Sequence, residues 1–555
     1  MLPWICLIAL CAEVGTNVLN WSTAPFDSAT LPPSMGASLT ADELRDLEAA
    51  SPTTPYDHLT CGVRAPDGTL WVGSPHGLML LSPQAERWSL FHSPRWLPSD
   101  EVRGLSLARA APDGSCRVIV DTAAGAAALT ATSTTLDAKM EEVQANLRRW
   151  HVRHGLVAEI RLEKPGDVAA GYVQPSSDND GLWTSMYVAG EAFRYGATKS
   201  EDAKRNARQS LEALMFQERI TKIPGFVARS FVPIDDDPKK YGGEWHRSSD
   251  GKWWWKGDTS SDELDGHYFA YAVYYDLVAD EQEREEIRGY VSRITDHILD
   301  HGYYYVGPPG TPTTWGVWAP EKLNHDLEWI DDRGLNSLEM LSHLKVAEYM
   351  TGAPRYTAAL KHLIERESYE MNTVLQKITW PLHHVNHSDD ELAFLAYYPL
   401  LMYERDPALR KVYLASLERS WRIERPETSP LLNYIYAAGR QASHWPKPQE
   451  RPAEAHLDAA EYDRDACLAW FHDVPVDTIC YSMTNSNRRD VALRPYESRG
   501  DRKLSVEALP TSERRVMKWN GDPFELDGGS GGLERDDGAF ILLPYWMGVY
   551  HRFHE

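Results

Sequence analysis

Acidic residues crowd the short segments that lead into several apolar stretches, in numbers that local structure does not require. Asp258, Asp262, Glu263 and Asp265 stand close together, Asp389, Asp390 and Glu391 are consecutive, and Asp331-Asp332 precedes Arg333. Asp178 and Asp180, Glu424 and Glu427, and Glu534, Asp536 and Asp537 lead into other stretches in the same way. Carboxylates that share a partly dry volume raise one another's pKa. One can then donate a proton at neutral pH while its neighbour stays ionised as a base. A structural account competes with this. Ser260-x-x-Glu263 and Ser388-x-x-Glu391 have the spacing of capping boxes. Acids in a first helical turn also meet the helix dipole favourably, and Ser429-Pro430 has the order of an N-cap followed by a first-turn proline. A box uses one acid, so capping leaves the surplus unexplained.

Other residues could serve binding. Trp253, Trp254 and Trp255 are consecutive in a segment expected to be a loop, where three rings cannot all face a core. An exposed stacking platform is expected, with Trp183 beside it; the alternative is a plug packed on a rim. His383, His384 and His387 flank the Asp389/Asp390 pair. His383 and His387 have the i, i+4 separation of a helical metal pair, but they precede the expected helix start and need not share a face, so no metal is expected. Asp235-Asp-Asp237 fits a solvated loop better than a calcium site. The glycines at 528–532 lack the lysine of a phosphate loop, and no G-x-S-x-G elbow stands out. No cofactor is expected.

The elements that must position these residues fall into two parts. Residues 21–134 read as β: Asp67-Gly-Thr-Leu-Trp-Val-Gly73 is a turn and a short strand, followed by another strand at Gly77-Leu-Met-Leu-Leu81. A degenerate copy begins at Asp113-Gly114. This pattern resembles the repeat of two-component-regulator-type β-propellers, although two copies cannot close a propeller. Residues 135–555 read as helices near 137–152, 181–197, 201–220, 261–279, 281–301, 334–351, 354–376, 389–404, 407–422, 430–441, 454–471 and 539–552. Several follow one another after very short turns, which makes antiparallel neighbours. The helices near 261–279 and 389–404 are apolar or aromatic all round, as buried helices are, and their successors are amphipathic. The expected fold class is mainly α: an (α/α)₆ toroid of six helical hairpins, in which the acid-bearing loops ring one mouth, with a small N-terminal β region.

Composition narrows the partners. The chain has 555 residues, 20 Trp, 27 Tyr and a net charge of −24. A field of that sign repels phosphate backbones, so no nucleic acid is expected. No apolar run is long enough for a transmembrane segment. The apolar stretch Met1–Ala12 is taken as the core of a possible signal peptide within residues 1–20, which suggests secretion. Cleavage near Ala12 would leave four cysteines, Cys61, Cys116, Cys467 and Cys480, too sparse for a disulfide framework to carry the fold.

Helical hairpins in six pairs, aromatic segments and acids at the starts of buried helices together resemble the six-hairpin glycosidase superfamily. The resemblance covers residues 135–555 and is architectural, so it assigns no individual catalytic acid. It implies a carbohydrate-active enzyme and a carbohydrate substrate. For a glycoside hydrolase, one carboxylate is expected from Asp258, Asp262 or Glu263, and one from Asp389, Asp390 or Glu391, with Asp332 as a third candidate. Trp183, Trp253, Trp254, Trp255 and Asn386 are expected to bind the sugar. A uronate lyase would instead draw on Tyr268, His383, His384 and Arg333. A non-catalytic glycan-binding or sensor protein is the third expectation, because propeller repeats often serve as sensors.

Overall fold

The structure, a computed structural model, describes residues 17–27, 34–50, 54–83, 85–109, 116–308, 310–376, 386–442, 458–498 and 500–555. The expected signal segment at Met1–Ala12, together with Asp113, Gly114, His383 and His384, lies outside the described residues. Among the described residues there are fifteen α-helices and several small antiparallel sheets, so the protein is mainly α.

After α1 (Ala41–Ala49), helices α2 (Leu136–Trp150) to α6 are α3 (Asp180–Thr198), α4 (Glu201–Arg219), α5 (Ser261–Leu277) and α6 (Glu281–Asp300). A single turn, α7 (Pro320–Leu323), precedes α8 (Arg333–Thr351), α9 (Pro354–Glu365) and a second short turn, α10 (Tyr369–Asn372). The series ends with α11 (His387–Tyr403), α12 (Pro407–Glu424), α13 (Pro430–Gln441), α14 (Arg464–Asp473) and α15 (Ala539–His551). The punctuation explains the short turns. Lys199 takes a left-handed conformation after α3, and Ser200 then caps α4. Gly352 does the same after α8 at φ +65°, and Pro354 opens α9. Asp280 and Glu283 form a complete capping box on α6.

Helices α3, α5, α8, α11, α13 and α15 are buried along most of their length. Helix α3 packs on α5 and α15, α8 packs on α5 and α11, and α13 packs on α11 and α15. Each buried helix therefore touches the next in chain order, and the last returns to the first. Helices α4, α6, α9 and α12 each lie against the buried helix before them. Helix α2 packs on α15, where the Tyr545 hydroxyl donates to Asp137 and ties the two ends of the helical part together.

Two expected helices are shorter in the structure. The stretch 354–376 breaks after Glu365, where Ser368 sits at φ +57°. Of the stretch 454–471, residues 454–457 lie outside the described residues, and the α-helix begins only at Arg464.

The N-terminal part holds two sheets. One has the order β2 (Ala37–Ser38), β3 (Cys61–Arg64), β4 (Leu70–Ser74), β5 (Gly77–Leu81) and β6 (Ser89–Phe91). The other has the order β1 (Asn17–Phe26), β9 (Gly125–Thr135), β8 (Cys116–Thr122) and β7 (Val102–Arg109). Strand alternation sends Trp71, Leu78 and Leu80 into a core shared with Val118, Val120 and Leu129 of the second sheet. Leu70, Val72 and Met79 face the other way, toward α1. This part is fastened to residues 473–515 by Arg87–Glu513 and Arg95–Asp477 and by the backbone bond from Arg489 to Pro55. Cys61, Cys467 and Cys480 are free thiols. Among the described residues no helix is long and apolar enough to cross a membrane.

The contact between α3 and α15 is close. A β-carbon added at Gly190 would lie 3.2 Å from Leu543 Cα and 3.3 Å from its nitrogen. Gly190→Val is expected to cost about 1–3 kcal/mol through overpacking, read as a lower urea midpoint.

Candidate active site

Three buried helices bring their acidic starts to one place. Helix α5 carries Asp262, Glu263 and Asp265 in its first turns. Helix α8 has Asp332 as its N-cap and Glu339 further along, and α11 carries Asp389, Asp390 and Glu391. These helices pack on one another, so the side chains share one volume. The charge of Asp332 acts on Asp389, and that of Asp262 acts on Asp265, Glu339, Asp389 and Glu391. Asp262, Asp332 and Asp389 are half-buried and keep access to solvent. Glu263, Asp265, Glu339, Asp390 and Glu391 are buried beneath them.

The capping account fails at both expected boxes. Ser260 is the N-cap of α5 but makes no side-chain cap bond, and the N-cap of α11 is Asn386 rather than Ser388. Glu263 instead crosses to α3, where its Oε1 accepts from the Gly181 backbone N–H at 3.2 Å. The space it fills is exclusive, because a β-carbon on Gly181 would overlap its other oxygen.

Burial sets the protonation of the group. Glu263, Asp265 and Glu339 are held well above the ordinary carboxyl range by burial and then by neighbouring carboxylates. Burial pushes Asp389 up to about 7, and Asp332, Asp390 and Asp262 add to the rise. Burial likewise pushes Glu391 up to about 8, against the pull of the Trp519 indole and Lys518. One oxygen each of Glu263, Asp265, Glu339 and Glu391 has no hydrogen-bond partner among the described residues. Ionised carboxylates left so would be very costly, so burial favours the neutral acids.

Asp262 differs. Burial raises it too, but the Arg229 charge and a bond from Asn179 Nδ2 at 3.1 Å oppose the rise. Arg229 is locked in place by the Asp258 carbonyl at 3.2 Å, Asn179 Oδ1 at 3.0 Å and Ser260 Oγ at 3.3 Å. Across the site, Lys518 lies 2.9 Å from Asp536 and 3.8 Å from Asp537, and its ammonium sits 4.6 Å from the Trp183 ring centre. Trp183 is half-buried there.

Other expected site residues do different work. The Asp258 carboxylate accepts from the Thr314 backbone N–H at 2.8 Å and from its hydroxyl at 3.0 Å, so it pins the 311–317 strand and does not join the acid cluster. Trp253, Trp254 and Trp255 are not a loop platform. They form a strand, Trp253–Lys256, between Ser230–Pro233 and Trp245–Arg247. Trp255 is buried and stacked on His246 at 4.3 Å, and Trp253 packs edge-on to Phe216 and Phe231. The Trp254 indole donates to the Ile234 carbonyl. Tyr268 is buried, stacked on His343 at 4.1 Å and bonded to Thr295, so it is unavailable as a base. Arg333 donates to the Leu323 carbonyl, and Asn386 is exposed beside Asp389.

His387 is buried 3.0 Å from Glu427 and 3.7 Å from Asp522. Burial opposes its charge, but Glu427 and Asp522 outweigh burial and raise its pKa well above the ordinary histidine range. Glu424 stands close by, and Arg514 bonds the Glu427 carbonyl. In this arrangement the His387 imidazole is ion-paired with the Glu427 and Asp522 carboxylates.

Three features were missed in the sequence. Glu339 lies in mid-helix with no motif around it; its only signal was an acid within an apolar run, Leu-Glu-Met-Leu. Arg229 had no signal. Trp315, next to the pinned Thr314, is 52% exposed. No protein-family model matches the chain, and no curated protein matches it.

The raised carboxyl pKa values predict a pH-dependent stability. Glu391 binds a proton in the folded state between about pH 4.5 and 8, whereas the unfolded chain releases it, so its contribution to stability is lost as pH rises through that window. Glu391→Gln is therefore expected to raise the melting temperature, relative to the parent, by ~3 °C or more at pH 8.5 than at pH 4.5. Equal shifts at both pH values in thermal scans would contradict this.

Proposed function

We propose that the protein is a glycoside hydrolase and that the closed succession of buried helices, backed by their partially exposed partners, is an (α/α)₆ toroid like that of the six-hairpin glycosidases. One observation carries the reading: Asp262, Asp332 and Asp389, from the starts of three adjacent buried helices, stay solvent-accessible above a floor of buried acids. Glycosidic cleavage needs a protonated carboxyl to donate to the leaving oxygen and an ionised one to activate water or attack. Asp389, held near neutrality, fits the donor. Asp262, whose rise through burial is opposed by Arg229 and Asn179, fits the base, and the charge of Asp332 would tune Asp389. Trp183 and the exposed Trp315 would supply flat faces for sugar rings. A Tyr268-based lyase gains no support, because that ring lies in the core.

The test is a screen of purified protein on neutral and acidic polysaccharides, with product mass and ultraviolet absorbance. Saccharides without new unsaturation are expected. On the substrate so found, Asp389→Asn and Asp262→Asn are each expected to lower kcat by about 10²–10⁴-fold with little change in melting temperature. Full activity in both variants would overturn the assignment. Trp315→Ala is expected to raise KM several-fold and leave kcat nearly unchanged, which steady-state kinetics would resolve.

A further inference from the structure

A cleft of about 770 Å³ lies between the N-terminal sheets and the helical part. Trp21 of β1, Trp88 and Trp96 line one side, and Trp470 of α14 lines the other. None of the acids of the candidate active site borders it.

The cleft is built rather than left over. Two apolar walls facing each other in water would tend to close. Here, ion pairs of fixed reach tie the two walls to each other. Arg87 reaches from the sheets to Glu513 at 3.1 Å, and Arg95 reaches Asp477 at 2.5 Å and the Ile479 carbonyl at 2.5 Å. The rings are also set against one another. Phe91 packs edge-on to both Trp21 and Trp96, with ring centres 5.0 and 5.9 Å away, and the Thr23 hydroxyl bonds the Trp96 carbonyl at 2.8 Å. Trp21 and Trp96 are half-buried and keep part of their surface toward the cleft.

The lining charges already have partners, Arg514 among them through the Leu509 and Glu427 carbonyls. Glu513 also pairs with Arg488 at 2.7 Å, Lys139 caps the Phe471 and His472 carbonyls, and Asp473 binds the Ser512 backbone and hydroxyl. The polar groups of the lining are thus held in place by the protein itself. A preformed cavity with flat rings and fixed polar edges suits a neutral ligand that has apolar faces and a hydroxyl rim.

We propose that this cleft is a second carbohydrate-binding site, which seats a neutral oligosaccharide across Trp21 and Trp96. The site is independent of the hydrolase assignment, because its readout is binding and not turnover.

The full chain is titrated with cellohexaose, xylohexaose and mannohexaose, followed by calorimetry and tryptophan fluorescence. At least one hexasaccharide is expected to bind. Trp96→Ala is expected to weaken that binding about tenfold, Trp96→Phe to retain most of it, and Asp389→Asn to leave the cleft's share of binding unchanged. Arg87→Ala, at a half-exposed side chain, removes one brace and is expected to weaken binding several-fold; it decides the matter if Trp96→Ala fails to fold. The proposal is overturned if none of the three sugars binds at millimolar concentration. It is equally overturned if folded Trp96→Ala binds like the parent, or if binding disappears only with the active-site variants.

Discussion

Carboxyl groups packed into one low-dielectric volume cannot all ionise, and this limit governs the rest of the structure. Asp262, Glu263, Asp265, Asp332, Glu339, Asp389 and Glu391 act on a shared space formed where α5, α8 and α11 meet. Each ionised member raises the cost of ionising the next. The protons therefore belong to the group, and the buried members hold theirs most firmly. Charge is left to the half-buried members at the surface of the cluster.

Such a cluster needs rigid support, since repulsion would otherwise spread the helices apart. The support is apolar. Helices α5 and α11 bury aromatic and aliphatic side chains on every face, and α3 and α15 approach closely enough to need Gly190. At the edge, cations remove the charge that the centre cannot hold. Arg153 takes Asp180 at 2.7 Å, Lys518 takes Asp536, and Arg229 bonds the segment ahead of α5. Partition between paired acids at the edge and unpaired acids at the centre creates neighbours with different proton affinities.

Much of this was legible because helices obey local rules. The all-round apolar pattern of 261–279 and 389–404 located two of the buried helices, and the observed α5 and α11 nearly coincide with those ranges. Failures arose where a distant partner decided the outcome. Trp253–Trp255 read as a loop in sequence because their strand neighbours, Ser230–Pro233 and Trp245–Arg247, carry no strong strand pattern. Ser260 and Glu263 have the spacing of a capping box, yet the Gly181 N–H on another helix claims the glutamate. Glu339 faces the cluster because of how α8 packs, and single-residue spacing cannot reveal that. The sheet that holds β8 and β9 is completed by β1, far earlier in the chain, which no local repeat can reveal.

The unpaired buried oxygens also bear on why the acids are there. A stable core of this size has no need of them. Replacing buried charge with well-packed apolar groups is often neutral or stabilising, and removing a hydrogen-bond partner from a buried acid costs stability. Glu263, Asp265, Glu339 and Glu391 each have one oxygen without a hydrogen-bond partner among the described residues, in an interior otherwise closely packed with Leu, Ala, Phe and Tyr. Helix capping does not account for them, since Ser260 makes no cap bond and Ser388 is not an N-cap. Above them, burial and the charges of Asp332, Asp390 and Asp262 push Asp389 up to about 7, while Arg229 and Asn179 oppose the rise that burial imposes on Asp262. Neighbouring acids at the meeting point of three helices therefore differ in proton affinity, a difference that packing alone does not require.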